Sequence, residues 1–246
     1  MRSIFIISLI AFAGMCLADD VVPVTIQGKT PSMTDPQALV DFGSYTPRRP
    51  LPTTFGKTGS NLLWDERGRI KLDALASESG FRRFLESSID ELKKYTLEFG
   101  DDANAWTVLG VRYYQTNNLS ASIEAIAMAR MMNPDHERSA ELYSGLLVIS
   151  GNLEKAAAEG AAMIDRLPEN TVIRFNLACA LARLGRTKEA MYHLEFLANF
   201  EWGDLIYYLN DRDLDALRSS AEFQAMEETL FNDARAWVVT QLKEQI

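Results

Sequence analysis

An all-α fold, a solenoid of antiparallel helix pairs, is predicted by three observations. From residue 103 to residue 204 the pattern helix, short turn, helix recurs at a spacing of 34 residues with no insertion. Certain columns of that frame hold small or turn-forming residues in every copy. Beyond the first twenty residues no segment alternates apolar and polar side chains as a half-buried strand would.

The frames run 103–136, 137–170 and 171–204. Position 7 holds Leu109, Tyr143 and Leu177, and position 11 holds Tyr113, Leu147 and Leu181. Residues four apart share one helix face, so the two columns are expected to be buried together. Position 8 is Gly110, Ser144 and Ala178, and position 20 is Ser122, Ala156 and Ala190. Small side chains at both positions let two helices approach closely. Gly110 is the sharpest case, because glycine in a helix interior costs about 1 kcal/mol relative to alanine. The helix is expected to continue through it, with Trp106, Leu109 and Tyr113 as core. Position 15 is Asn117, Gly151 and Gly185, residue types that tolerate the left-handed conformation where a first helix ends. Pro134 and Pro168 stop the second helices of their frames.

Segments outside the frames read as follows. Residues 61–102 are a linker and an N-terminal capping helix. Phe81, Phe84, Leu85, Ile89, Leu92, Leu97 and Phe99 fall at mostly helical spacings, with Ser79 as N-cap and Gly100 as stop. Residues 205–246 form a C-terminal cap, in which Leu214, Leu217, Phe223 and Met226 would cover the last interface. Ser219 and Glu222 form a capping box for a helix reaching about Leu242, with Leu230, Phe231, Trp237 and Val238 as its apolar contacts.

The first frame resembles the tetratricopeptide repeat. Trp106, Leu109, Gly110, Tyr113, Ala129 and Pro134 match that pattern, with Ser122 in place of its usual alanine. The second frame matches at Ala156 and Pro168 but has Ala140 for the tryptophan and Met163 at a small position. The third carries Gly185 and Ala190 but has Leu197 at the small position and Trp202 for the proline. The resemblance implies a right-handed solenoid whose concave groove binds an extended peptide or a partner helix. It places the groove on the first helix of each pair. Those positions hold Asn104, Thr107, Val111, Tyr114 and Gln115 in the first frame. The second offers Arg138, Glu141, Gly145 and Ile149, and the third Val172, Phe175, Asn176, Cys179 and Arg183. Asn176 stands out, because an amide can hold a bound backbone through both donor and acceptor. Thr107 and Val111 replace the Lys and Asn with which co-chaperone members clamp a C-terminal carboxylate, which argues against that function.

The N-terminus has its own logic. Arg2, then an apolar run from Ile4 to Leu17, then Cys16-Leu17-Ala18 before Asp19-Asp20 is a secretory signal-peptide pattern over residues 1–18. The run is short of the roughly 18 apolar residues of a membrane span. An uncleaved anchor is the alternative. Lipid attachment at Cys16 fits poorly, because Met15 stands where that motif has Gly or Ala. Cleavage leaves Cys179 as the one cysteine, so no internal disulfide forms in a periplasmic or extracellular protein. Residues 19–60 read as an extended tether rich in Pro, Gly, Ser and Thr. Its stretch 43–60 carries Arg48, Arg49 and Lys57 and no acid, and it would complement the acidic C-terminal end.

With 246 residues, 47% of them hydrophobic, and a formal net charge of -9, the chain affords a core and disfavours nucleic acid. His136 and His193 are the two histidines. His193 reads as a partly buried helix residue and Cys179 as an inert packing residue. Met128, Met131 and Met132 read as core filler. There is no His-Glu-x-x-His, no paired-cysteine zinc spacing and no nucleophile elbow. The expectation is a non-enzymatic module without metal or cofactor that binds a protein or peptide. Its alternative is a scaffold of the cell envelope that associates with itself.

Overall fold

The computed structural model describes residues 79–200, 205 and 208–243, together with Ile70 and Leu75. The side chains of Ser79, Phe200, Arg235 and residues 237–243 are not among those described. The expected signal segment 1–18, the tether 19–60 with Arg48 and Arg49, the rest of 61–78, Trp202, and the side chains of Trp237 and Val238 therefore lie outside them. The chain divides into two compact units, residues 52–231 and residues 1–51 with 232–246. The described part of the second is the helical stretch from Asn232 to Lys243.

The described part of the first unit is an α-solenoid of helix pairs packed consecutively. A short helix α1 (Ser79–Arg82) and α2 (Ile89–Glu98) precede it. The pairs are α3 (Ala103–Gln115) with α4 (Leu119–Met132), α5 (Glu137–Ile149) with α6 (Leu153–Arg166), and α7 (Thr171–Arg183) with α8 (Thr187–Phe200). A 3-10 turn at Arg212–Leu217 and α9 (Ala221–Lys243) follow.

The three first helices end in one way. Asn117, Gly151 and Gly185 have φ of 60°, 75° and 73°, the left-handed region. Asn118 N–H donates to Tyr113 O at 2.9 Å while Asn117 N–H donates to Tyr114 O at 3.0 Å. The same two bonds recur as Asn152 to Leu147 with Gly151 to Val148, and as Arg186 to Leu181 with Gly185 to Ala182. This is the Schellman motif, which pairs the orphan carbonyls of a helix end and turns the chain back on itself. The second helices α4 and α6 end two residues before Pro134 and Pro168.

The small columns are seams. A β-carbon on Gly110 would lie 2.6 Å from both Cδ1 and Cγ1 of Ile126, a fully buried side chain of α4. The helix runs through Gly110 unbroken. Ser144, Ala178, Ser122, Ala156 and Ala190 are all buried. Gly160 serves the next seam, where a β-carbon would come within 3.2 Å of Leu177 Cβ. Leu109, Tyr143, Leu177, Leu147 and Leu181 are buried core, as the frame requires. Trp106 and Tyr113 are only half-buried, and the Trp106 indole N–H donates to Gly100 O at 2.8 Å.

The N-terminal cap differs from the expected single helix. Residues 83–86 are turns, and Ser79 lies inside α1 rather than capping it. The effective cap is Ser88. Its backbone N–H donates to Glu91 Oε2 at 2.8 Å, and its hydroxyl accepts from Glu91 N–H at 3.3 Å. That reciprocal capping box starts a fresh helix. The break shifts the phase of the apolar face. Leu92 and Thr96 are buried, whereas Leu97 is 87% exposed and Phe99 is 46% exposed, contrary to expectation. At the other end α9 is capped by Ser220, whose hydroxyl accepts from Phe223 N–H at 3.2 Å, so the expected Ser219 lies one residue too early. Leu214, Leu217, Phe223, Met226 and Leu230 are buried beneath this cap.

Candidate functional site: the face of the first helices

The residues expected to line a groove do not form one open surface. Thr107 and Val111 are fully buried, and the Thr107 hydroxyl donates to Ala103 O at 2.7 Å inside its own helix. Both are packing residues here, and α1 with the following turn reaches the same helix at Asn104 and Arg112. Gly80 sits against Asn104, and the Arg112 guanidinium donates to Leu85 O. Arg112 also donates to Gln115 Oε1 at 3.2 Å. Tyr114 is half-buried and Gln115 exposed. The burial of Thr107 and Val111, with the half-burial of Trp106 and Tyr113, reverses the expected division between scaffold and surface in this helix.

On α7 the same occurs from the C-terminal side. Phe175 is buried, and its ring lies 4.6 Å from that of Tyr208 at an interplanar angle of 30°. Cys179 is 2% exposed, and burial pushes its thiol well above the ordinary range, so it is an inert packing residue. Arg183 donates to Val148 O at 2.9 Å and pairs with Asp213 at 3.3 Å. Burial and then Asp211 raise the Asp213 carboxyl above its usual range. Phe175 and Cys179 thus leave the set of accessible groove residues, whereas Val172 stays half-buried.

Between these covered ends the seam of α5 and α7 gathers polar side chains. Arg138 pairs with Glu141 at 2.7 Å, and Asn170 Nδ2 donates to Glu141 Oε1 at 2.8 Å. Asn176 Nδ2 donates to Ser144 Oγ at 2.8 Å, and that hydroxyl donates to Glu141 O at 2.8 Å. Glu141 is 8% exposed, so its carboxylate is held by partners that offset desolvation. Asn176 is tied to the neighbouring helix rather than standing open, which narrows its expected role. Gly145 is buried in this seam, and Ile149 is 47% exposed at the far end of α5. A recess of about 340 Å³ opens beside the network. Glu137, Glu141, Arg166, Glu169 and Asn170 supply its polar lining, Leu167 and Pro168 an apolar wall.

Asn170, Glu137 and Glu169 were not among the expected groove residues. Asn170 caps α7 by accepting from Ile173 N–H at 3.0 Å, and its other end reaches back to Glu141. The signal was present in the frame, since an Asn directly before a first helix is a cap, but its second bond depends on the preceding pair.

Other polar groups are structural. Arg174 is buried, stacks 3.7 Å over the Phe196 ring and donates to Pro168 O at 2.8 Å. Its guanidinium contacts His193 Nδ1 at 3.3 Å. Burial first, and Arg174 second, lower the His193 pKa to about 4, so the ring is neutral near pH 7. The methionine run is not core filler: Met128 and Met132 are half-buried and Met131 is 66% exposed. Among the described residues no three His, Cys, Asp or Glu side chains are grouped so as to hold a metal ion, and no helix is long and apolar enough to cross a membrane.

These features define an all-α helical-repeat protein with a polar seam on its first helices. Known family models and curated proteins yield no match to the chain. Among solved structures the crystal structure of MamA is similar at 11% sequence identity and a TM-score of 0.49, covering 72% of this chain and 99% of that one.

Proposed function

We propose that this chain is a non-enzymatic interaction module of the tetratricopeptide type, exported from the cytoplasm, that binds a peptide or partner protein across the seam of α5 and α7. The observation that carries this reading is the Arg138–Glu141–Asn170 network beside the recess. Buried and half-buried polar side chains held by one another can exchange a partner for a bound backbone at little cost in unpaired groups. The recess carries Glu137, Glu141 and Glu169, and its Arg166 is paired with Asp135 at 2.7 Å. Its chemistry therefore suits a segment rich in donors, such as a basic side chain beside a free backbone N–H.

The test is affinity capture from secreted or envelope proteins with the wild type and with Glu137→Lys, Glu169→Lys. Both side chains are exposed, so the fold is expected to survive the exchange. A band lost only in the variant supports the reading, and a band set unchanged by the variant contradicts it.

Self-association as a scaffold is the second reading. It is favoured by the exposure of Leu97, Met131 and Tyr192 at 87%, 66% and 64%. A strict monomer in light scattering down a dilution series from high micromolar concentration would remove it.

A further inference from the structure

The recess at the starts of α5 and α7 holds two carboxylates that have no ion pair among the described residues. Glu141 is committed, since its two oxygens are taken by Arg138 and Asn170. Arg166 is committed as well, to Asp135. Glu137, on the first turn of α5, and Glu169, ahead of α7, are exposed, and among the described residues neither has a hydrogen bond or an ion pair. They stand on separate elements of one rim, with Leu167 and Pro168 as the apolar wall beside them. Such a site suits two cations carried close together on an extended backbone, with their stems laid along the wall.

The chain itself carries a ligand of that chemistry. From Gly43 to Ser60 it has Arg48, Arg49 and Lys57 and no acid, although its formal net charge is -9. This stretch lies outside the described residues. Arg48 and Arg49 are adjacent, and Pro47, Pro50 and Pro52 flank them. Proline fixes φ and has no N–H, so such a segment loses little freedom on being held extended and brings few donors that need partners. The other adjacent cations sit close to acids: Glu86 follows Arg82 and Arg83, and Glu91 precedes Lys93 and Lys94. Each copy has one such stretch and one recess, so pairing between copies runs head to tail and does not close after two.

We propose that the recess receives the segment Gly43–Ser60 of a second copy, with Arg48 and Arg49 against Glu137 and Glu169. The inference rests on the reading of the recess as a partner site and makes the chain its own partner. Exposed Leu97, Met131 and Tyr192 are side chains that contact between copies would cover. Pairs between exposed charges are individually weak, so each link is reversible and fades as salt rises.

A peptide and two variants of the full chain test it. A fluorescent peptide of residues 43–60 is titrated onto the Arg48→Glu, Arg49→Glu chain, whose own stretch cannot compete. It should bind saturably, and at least about tenfold more weakly once Glu137→Lys, Glu169→Lys are added. Equal binding to both chains overturns the proposal. Light scattering then reads the assembly. The wild type should grow in size with concentration and shrink with added salt, whereas the Arg48→Glu, Arg49→Glu chain and the Glu137→Lys, Glu169→Lys chain should each stay monomeric. An equimolar mixture of these two variants should form one-to-one dimers and nothing larger, because one supplies the recess and the other the segment. A wild type that stays monomeric at high micromolar concentration overturns the proposal even where the peptide binds, since the segment would then serve its own recess. Variants that grow like the wild type overturn it as well. Failure of this inference alone leaves capture of another partner sensitive to Glu137 and Glu169, whereas failure of the recess reading removes that sensitivity too.

Discussion

Replacing Gly110 by alanine sets two known effects against each other at one atom. In an exposed helix the change stabilises by about 1 kcal/mol, through propensity alone. Here the new methyl would sit 2.6 Å from two carbons of Ile126 and 3.1 Å from Ser122 O. Ile126 is fully buried, and the Ser122 carbonyl belongs to the backbone of α4, so neither has free space to move into. Overpacking of a closed core costs about 1–3 kcal/mol, and contacts this short belong at the upper end. The expected net effect is destabilisation by about 1–2 kcal/mol, with Tm falling about 2–4 °C for each kcal/mol in a protein of this size. Urea denaturation measures it, provided the m-value is unchanged. The double variant Gly110→Ala, Ile126→Ala isolates the contact. The pair should be more stable than the sum of the two single losses predicts, by about 1 kcal/mol or more, since shortening Ile126 makes room for the added methyl and the methyl fills part of the space left behind. A Gly110→Ala chain as stable as wild type, or more stable, would refute the close-approach account of this column.

Three further outcomes follow from the same geometry. Asn117 is the one non-glycine residue at positive φ among the described residues, and Asn117→Gly should raise stability by about 0.5–1 kcal/mol in a urea melt. Ser122 is fully buried, and its hydroxyl has no hydrogen-bond partner among the described residues, so Ser122→Ala should stabilise by about 1 kcal/mol, read as a rise in Tm. His193 is held neutral, with a folded pKa of about 4 against an ordinary 6.5. Below pH 6.5 the unfolded chain binds a proton that the folded chain refuses until about pH 4, so stability falls as pH falls through that window. His193→Gln should flatten the slope of stability against pH between 6.5 and 4, and an unchanged slope would show that His193 does not carry it.

The parts of the fold legible in the sequence were those fixed by steric demands repeated at one spacing. Asn117, Gly151 and Gly185 were readable because few residues accept positive φ, and the seam at Gly110 because nothing larger fits beside Ile126. The N-terminal helix was misread because Ser79 and Ser88 both have a cap's residue type. The reciprocal partner Glu91 decides between them, and it places the break that leaves Leu97 outside the core. The site was less legible. The frame assigns Thr107, Val111, Phe175 and Cys179 to the same helix face, but not what lies over it. Their burial depends on segments beyond the frames, as Gly80 beside Asn104 and Tyr208 against Phe175 illustrate. The roles of Asn176 and Asn170 were hidden for a related reason, since each bonds to the preceding pair, and helical spacing carries no information about that register.

The central claim is that a partner meets the chain at the seam of α5 and α7. A photo-crosslinking amino acid placed at position 137, on the rim of the recess, tests it most directly when compared with the same group at the exposed position 161 of α6. The account predicts a crosslinked partner from position 137 and none from position 161. Crosslinking at 161 with none at 137 would contradict it.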